Sequence, residues 1–102
     1  MHVISKKLLR DFYHDNTQAE KPLVEWYYKM KVCEAKNLTE LREVFNSADS
    51  VEGYTVFNVG GNNYRLITAL HYNRCKCYVR AIWTHAQYNK KANQEKLQRG
   101  KI

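Results

Sequence analysis

The stretch YTVFNVGGNNYRLITALHYNRCKCYVRAIW, residues 54–83, decides the fold. It holds three runs, Tyr54 to Val59, Asn63 to Tyr72 and Lys76 to Trp83, in which apolar and polar side chains tend to alternate. That period of two, carried by aromatic and β-branched types that suit a pleated surface, predicts three strands. Gly60-Gly61 supplies the positive φ angles of a two-residue primed turn, which pairs Val59 with Asn62. Asn73-Arg74 is expected to do the same between Tyr72 and Cys75, giving an antiparallel three-stranded meander.

Upstream of this stretch the period is helical. His2 to Ile4 is short and apolar-leaning, as in a strand, and Ser5 offers an N-cap for a helix through about His14 with Leu8, Leu9 and Phe12 inward. After a polar loop through Glu20, Pro22 suits the first turn of a second helix. Its Leu23, Trp26, Tyr27, Met30 and Cys33 recur at helical spacing and read as core. Asn37 with Glu40 resembles a capping arrangement for a short helix presenting Leu41, Val44 and Phe45, and Asn46 to Gly53 reads as a loop. Downstream, Thr84 and Gln87 form a T-x-x-Q capping box for a last helix, which is expected to dissolve into a flexible basic tail over residues 93–102. The expected class is α+β: N-terminal helices on a small, mainly antiparallel sheet, then a short C-terminal helix, in one domain of 102 residues.

Composition excludes several classes of function. With 44% hydrophobic and 13% aromatic residues the chain is globular rather than disordered. No apolar run approaches the roughly 18 to 20 residues of a membrane span. The opening Met-His-Val-Ile-Ser-Lys-Lys-Leu-Leu-Arg has neither an apolar export core nor a small-residue cleavage site, so a cytoplasmic location is expected. Cys33, Cys75 and Cys77 are an odd number of cysteines and are expected to be reduced thiols.

Charge is divided unequally. Residues 1–53 hold eight Lys/Arg and nine Asp/Glu, whereas residues 54–102 hold nine Lys/Arg and the single acid Glu95. The whole excess of the +7 formal charge therefore sits in the strand-rich half. A field of one sign confined to one part of a molecule attracts polyanions, and nucleic acid is the partner it suggests.

If Tyr72 pairs with Cys75, Arg65 lies opposite Ile82 and Arg80 opposite Ile67, and the two arginines share one sheet face with His71, Lys76 and Tyr78. A loop of odd length would put the arginines on opposite faces. Guanidinium forks beside a Lys, a His and tyrosines suit a phosphodiester, because the forks match phosphate oxygens. The competing reading is a solvated strand face, or an arginine paired with a glutamate of the first half. At the following helix, His85 shares a side with Tyr88 and Asn89, and histidine is the side chain suited to proton transfer near neutrality. Glu95 alone cannot hold the ions of a two-metal nuclease, so a nuclease built on this half is expected to need no metal. It would use the RNA 2′-hydroxyl as nucleophile, with fixed cations stabilising charge on the phosphate. Cys75, Cys77, His71 and His85 lack the spacing of a structural zinc site, and Gly60-Gly61 joins two strands rather than opening a helix over a phosphate. A non-catalytic RNA- or ribosome-binding module fits the same basic and aromatic strands, whereas a DNA-binding regulator lacks its helix-turn-helix pattern.

The blocks Met-His-Val-Ile-Ser, N-V-G-G-N-N-Y-R-L-I (58–67), K-C-Y-V-R (76–80) and T-H-A-Q-Y-N-K (84–90) together resemble the HigB family of type II toxin–antitoxin systems, over nearly the whole chain. The resemblance implies a RelE-like fold, cleavage of mRNA on the ribosome, and neutralisation by a HigA-type helix-turn-helix antitoxin that carries the pair to operator DNA. It also implies that Arg65 and Arg80 bind the scissile phosphate and that His85 and Tyr88 are acid/base candidates. Lys76, Tyr78, Lys90, Lys91 and Asn62 are expected to contact the RNA, with no cofactor, metal or membrane involved. Asn89 stands where the family pattern commonly has Asp, which removes a carboxylate from that position.

Overall fold

Chain order in the computed structural model, which describes residues 1–102, is β1 (His2–Ile4), α1 (Lys6–Asp15), a 3₁₀ turn (Thr17–Ala19), α2 (Glu20–Lys31), α3 (Leu38–Val44), β2 (Asp49–Val51), β3 (Tyr54–Val59), β4 (Tyr64–His71), a second 3₁₀ turn (Tyr72–Arg74), β5 (Lys76–Thr84), α4 (His85–Tyr88) and α5 (Lys91–Gln98). The strands form one sheet in the order β1-β5-β4-β3-β2, with β1 parallel to β5 and the other pairs antiparallel. The expected α+β class, of RelE-like character, is what the chain adopts. No helix is long and apolar enough to cross a membrane.

Alternation along the strands separates two cores. Phe57, Val59, Tyr64, Leu66, Cys77, Val79 and Ile82 face the helices and meet Leu9, Leu23, Trp26, Met30 and Leu41. Trp26 and Phe45 both set their rings against Phe57, with centroids 5.4 and 5.1 Å away in edge-to-face arrangements that aromatic quadrupoles favour. The stripe on α2 is therefore core. The opposite sheet face buries Val56 and Ile67 under Leu97 of α5. The flexible tail expected over residues 93–102 is corrected here: one apolar side chain in a polar segment, Leu97 at 1% exposure, fastens the helix to the sheet, and Tyr54 Oη bonds the Ile102 main chain beyond it.

Local signals at the helix starts are met unevenly. Asn37 caps α3 by accepting from the Glu40 N–H at 2.9 Å. Ser5 makes no side-chain cap and instead turns the chain with φ +77°. The segment Asn46 to Gly53, expected as loop, contributes the edge strand β2.

Both hairpins depart from the predicted turns in ways that matter for the site. The first has a four-residue loop, Gly60 to Asn63, so Val59 pairs with Tyr64 rather than with Asn62. The slip is by two residues, and an even slip leaves each side chain on its face. In the second hairpin the predicted register holds from His71↔Lys76 to Thr68↔Val79. Arg80 is then left without a partner, because Ile67 pairs with Ala81. This β-bulge shifts the remaining pairs by one, placing Arg65 opposite Trp83 and not Ile82.

Candidate active site

Arg65 is the second residue of β4, on the face away from the main helical layer, and only 8% exposed. A buried charge persists only where its donors are satisfied. Nη1 donates to the main-chain oxygens of Asn62 (3.1 Å) and Tyr64 (3.3 Å), while Nη2 donates to Asn62 Oδ1 (3.2 Å) and meets His85 Nδ1 at 2.8 Å. The guanidinium carbon lies 5.7 Å from the centre of the Tyr88 ring.

Two local devices bring these groups together. The Gly60 to Asn63 loop folds back so that Asn62 offers Arg65 both a main-chain and a side-chain oxygen, and Asn58 reaches the same Oδ1 at 3.5 Å. On the other side the predicted capping box is formed in full: Gln87 N–H donates to Thr84 Oγ1 at 3.1 Å and Thr84 N–H to Gln87 Oε1 at 2.9 Å. Such a cap contributes about 1 kcal/mol. It starts α4 at His85, whose own N–H donates to the Asn63 carbonyl at 2.9 Å. Loop, strand and helix start are thus fastened to one another around Arg65.

The contacts define the state of His85. A guanidinium carries donors only, so Nδ1 accepts from Arg65 and the ring proton of a neutral imidazole sits on Nε2. The Asn89 side-chain amide lies 3.2 Å from Nε2. An N–H there needs an acceptor, which the Asn89 carboxamide can supply because a half-turn of the amide exchanges its nitrogen for its oxygen.

Arg80, at the bulge, belongs to a second cluster toward the other end of β5. Its guanidinium carbon lies 5.5 Å from the centre of the Tyr78 ring, and Tyr78 in turn meets His71 edge to face at 5.3 Å. Lys76 pairs with His71 across the strands. Arg80 and His71 are exposed, and Lys76 and Tyr78 half-buried. The register that would make Arg65 and Arg80 diagonal neighbours is changed by the bulge, and the Arg65 side chain turns toward Asn62 and His85. Lys90 and Lys91 are exposed where α4 gives way to α5, next in sequence to Tyr88 and Asn89. Asn62, expected at the RNA, is exposed and a partner of Arg65. Its contact with Arg65 was hidden in sequence, since only the folded loop shows which groups its amide meets, whereas Asn89 was legible as a helical neighbour of His85.

Thiol chemistry lies elsewhere. Cys77 is fully buried, and burial pushes its thiol up to about 12, so it stays protonated at neutral pH. No three His, Cys, Asp or Glu side chains gather as a metal cluster. A groove of about 1570 Å³ at the far end of the sheet is lined by Lys31, Val32, Leu70, Tyr72 and Arg74 among others, away from Arg65 and His85.

Comparison with known proteins converges on one family. The HigB_toxin family model, described as the "RelE-like toxic component of a toxin-antitoxin system", matches residues 19–91. The "mRNA interferase toxin HigB" of Escherichia coli strain K12 is 33% identical over 92 residues, covering 87% of this chain and 88% of its own. The "mRNA interferase HigB" of Shigella flexneri is similar to the same extent, and that of Escherichia coli O6:H1 is 28% identical over 93 residues, 88% of this chain and 90% of its own. With a strand-rich basic half, a buried arginine on a histidine and this match across most of its length, the chain belongs to the HigB family, the RelE-like toxins of toxin–antitoxin systems.

Proposed function

We propose that this chain is an endoribonuclease that cleaves mRNA, inhibits translation and growth, and is held in check by an antitoxin. The observation that carries the reading is the meeting of Arg65, His85 and Tyr88 at the start of β4, within a half of the chain whose one acid is Glu95. RNA brings its own nucleophile. The 2′-oxygen bonds to phosphorus as the bond to the 5′-oxygen breaks; the 2′-hydroxyl loses a proton and the 5′-oxygen gains one. Two proton-bearing groups, the His85 imidazole and the Tyr88 phenol, stand at the proposed centre. Exposed Arg80, Lys90 and Lys91 and half-buried Lys76 supply positive charge along the path of the strand, with the Tyr78 ring as a surface on which a base can stack. Preorganised cations suit a pentacoordinate phosphate, whose charge exceeds that of the ground state.

The names carried by the relatives, mRNA interferases, support mRNA as substrate here. Cleavage on translating ribosomes, a HigA-type helix-turn-helix antitoxin, and operator binding through that antitoxin complete the proposal. Inducing the wild-type gene and an Arg80→Ala version in bacteria, then mapping mRNA ends, tests it. Growth arrest with new mRNA ends for the wild type, and neither for the variant, is expected. Unchanged growth with intact mRNA contradicts it, and growth arrest with intact mRNA indicates a binding module instead.

A further inference from the structure

An arginine at such a centre is expected to grip the phosphate. Arg65 has little left to grip with. Of the five N–H donors of a guanidinium, the four on Nη1 and Nη2 are taken by Asn62, Tyr64 and His85, and the residue is 8% exposed. The one acceptor among its partners that is not an oxygen is the Nδ1 lone pair of His85, and this contact is the shortest of the four.

The consequence falls on His85. A neutral imidazole has one lone pair in the ring plane. Arg65 occupies it, so the exposed edge of the ring offers an N–H and nothing that can take a proton. We infer that Arg65, braced by Asn62, is a positioning residue that holds His85 as the Nε2–H tautomer, and that His85 serves the phosphate as a fixed hydrogen-bond donor rather than as the general base. The inference rests on the nuclease reading above. When RNA binds, a phosphate oxygen takes the place of the exposed Asn89 carboxamide as the partner of Nε2–H. His85 then neither gains nor loses a proton during cleavage. The phenol of Tyr88 is left to give its proton to the leaving 5′-oxygen while the 2′-hydroxyl proton passes to solvent water, from which the phenolate regains one, and the hydrogen bonds to the phosphate come from His85 and the exposed cations, not from Arg65.

A carboxamide separates the two roles. Glutamine carries an acceptor oxygen and a donor nitrogen, as the neutral Nε2–H imidazole does, and it cannot transfer a proton at neutral pH. Cleavage of a reporter mRNA in a purified translation reaction, read by primer extension, is compared for wild type, His85→Gln, His85→Ala and Asn62→Ala. His85→Gln is expected to cut at least ten-fold faster than His85→Ala. Asn62→Ala, an exposed loop change, is expected to slow cutting several-fold while leaving the RNA concentration for half-maximal rate unchanged. In parallel, nitrogen-15 spectra of histidine-labelled protein, with His85 assigned by its loss in the His85→Gln variant, are expected to show a proton on Nε2 and none on Nδ1. A proton on Nδ1 in wild type, or equal rates for His85→Gln and His85→Ala, overturns the inference. So does a rise in the half-maximal RNA concentration as the whole effect of Asn62→Ala. Intact mRNA with the wild type overturns the nuclease reading itself, a result that the other outcomes do not produce.

Discussion

Leu97 of α5 packs on Ile67 of β4, and the two are 1% and 0% exposed. This contact, with Val56 beside it, closes the sheet face that bears Arg65 and keeps α5 within a few residues of the proposed site. Leu97→Ala is expected to lower the unfolding free energy by about 2–5 kcal/mol, the range for a buried leucine whose cavity does not collapse. Urea unfolding followed by circular dichroism measures it. A change under about 0.5 kcal/mol, the size of an ordinary surface substitution, would mean that the C-terminal segment does not pack as described.

Arg80 separates stability from function. It is exposed, unpaired in the strand ladder, and makes no side-chain hydrogen bond within the protein, its guanidinium lying over the Tyr78 ring. Arg80→Ala is expected to leave the thermal midpoint within a degree or two of wild type, and to slow mRNA cleavage by about 10²–10³, the usual loss for one group on a developing phosphate charge. Normal cleavage by the variant would take Arg80 out of the site.

Gly60 and Gly61 have nearly the same φ, +66° and +68°, but different surroundings. A Cβ on Gly60 would lie 3.1 Å from Tyr64 Cδ2, whereas one on Gly61 meets nothing within 4 Å. Gly61→Ala is expected to cost about 1–2 kcal/mol from the left-handed backbone alone. Gly60→Ala should cost more, because it also presses on the residue before Arg65. Equal losses in urea unfolding would contradict the described loop.

The cysteines give a test in alkaline solution. Cys75 is exposed, Cys33 and Cys77 buried, so one thiol per chain should react with a disulfide reagent in the native state and three after unfolding. The Cys77 thiol is raised from 9.0 to about 12 by burial, and the Tyr72 phenol is raised by burial too. Raised values in the folded state mean that the folded chain holds these protons longer than the unfolded one. The associated stability is full below about pH 9 and is lost as pH rises toward 12. Urea midpoints at pH 8 and pH 10.5 should fall in that order; a midpoint that rises with pH would be inconsistent with buried neutral groups at these positions.

Much of this architecture was legible in the residues themselves. The helical spacing of Leu23, Trp26 and Met30 and the alternation through Phe57, Leu66 and Val79 place the main core, and Thr84 with Gln87 places the start of α4. What escaped was set by single residues acting through tertiary contact. Arg80 becomes a bulge only because β4 and β5 must satisfy one register near the turn and another beside Thr84. Leu97 looked like part of a polar tail, since one leucine carries no periodicity, and its burial depends on an apolar patch far away in sequence. The site followed the same pattern. His85 and Tyr88 were legible as neighbours on a helix, but the turning of Arg65 toward them depends on a loop two residues longer than the glycine pair alone suggests.

The chemistry of the cut ends tests the account most directly. In a translation reaction programmed with a reporter mRNA, attack by the 2′-hydroxyl leaves a cyclic or 3′ phosphate on the upstream fragment and a 5′-hydroxyl on the downstream one. The downstream fragments made by the wild-type protein are expected to accept a labelled phosphate from polynucleotide kinase without prior dephosphorylation, and a 2′-deoxy nucleotide at the cut position should abolish the cut. Downstream fragments bearing a 5′-phosphate, or cleavage that persists past the 2′-deoxy nucleotide, would contradict it.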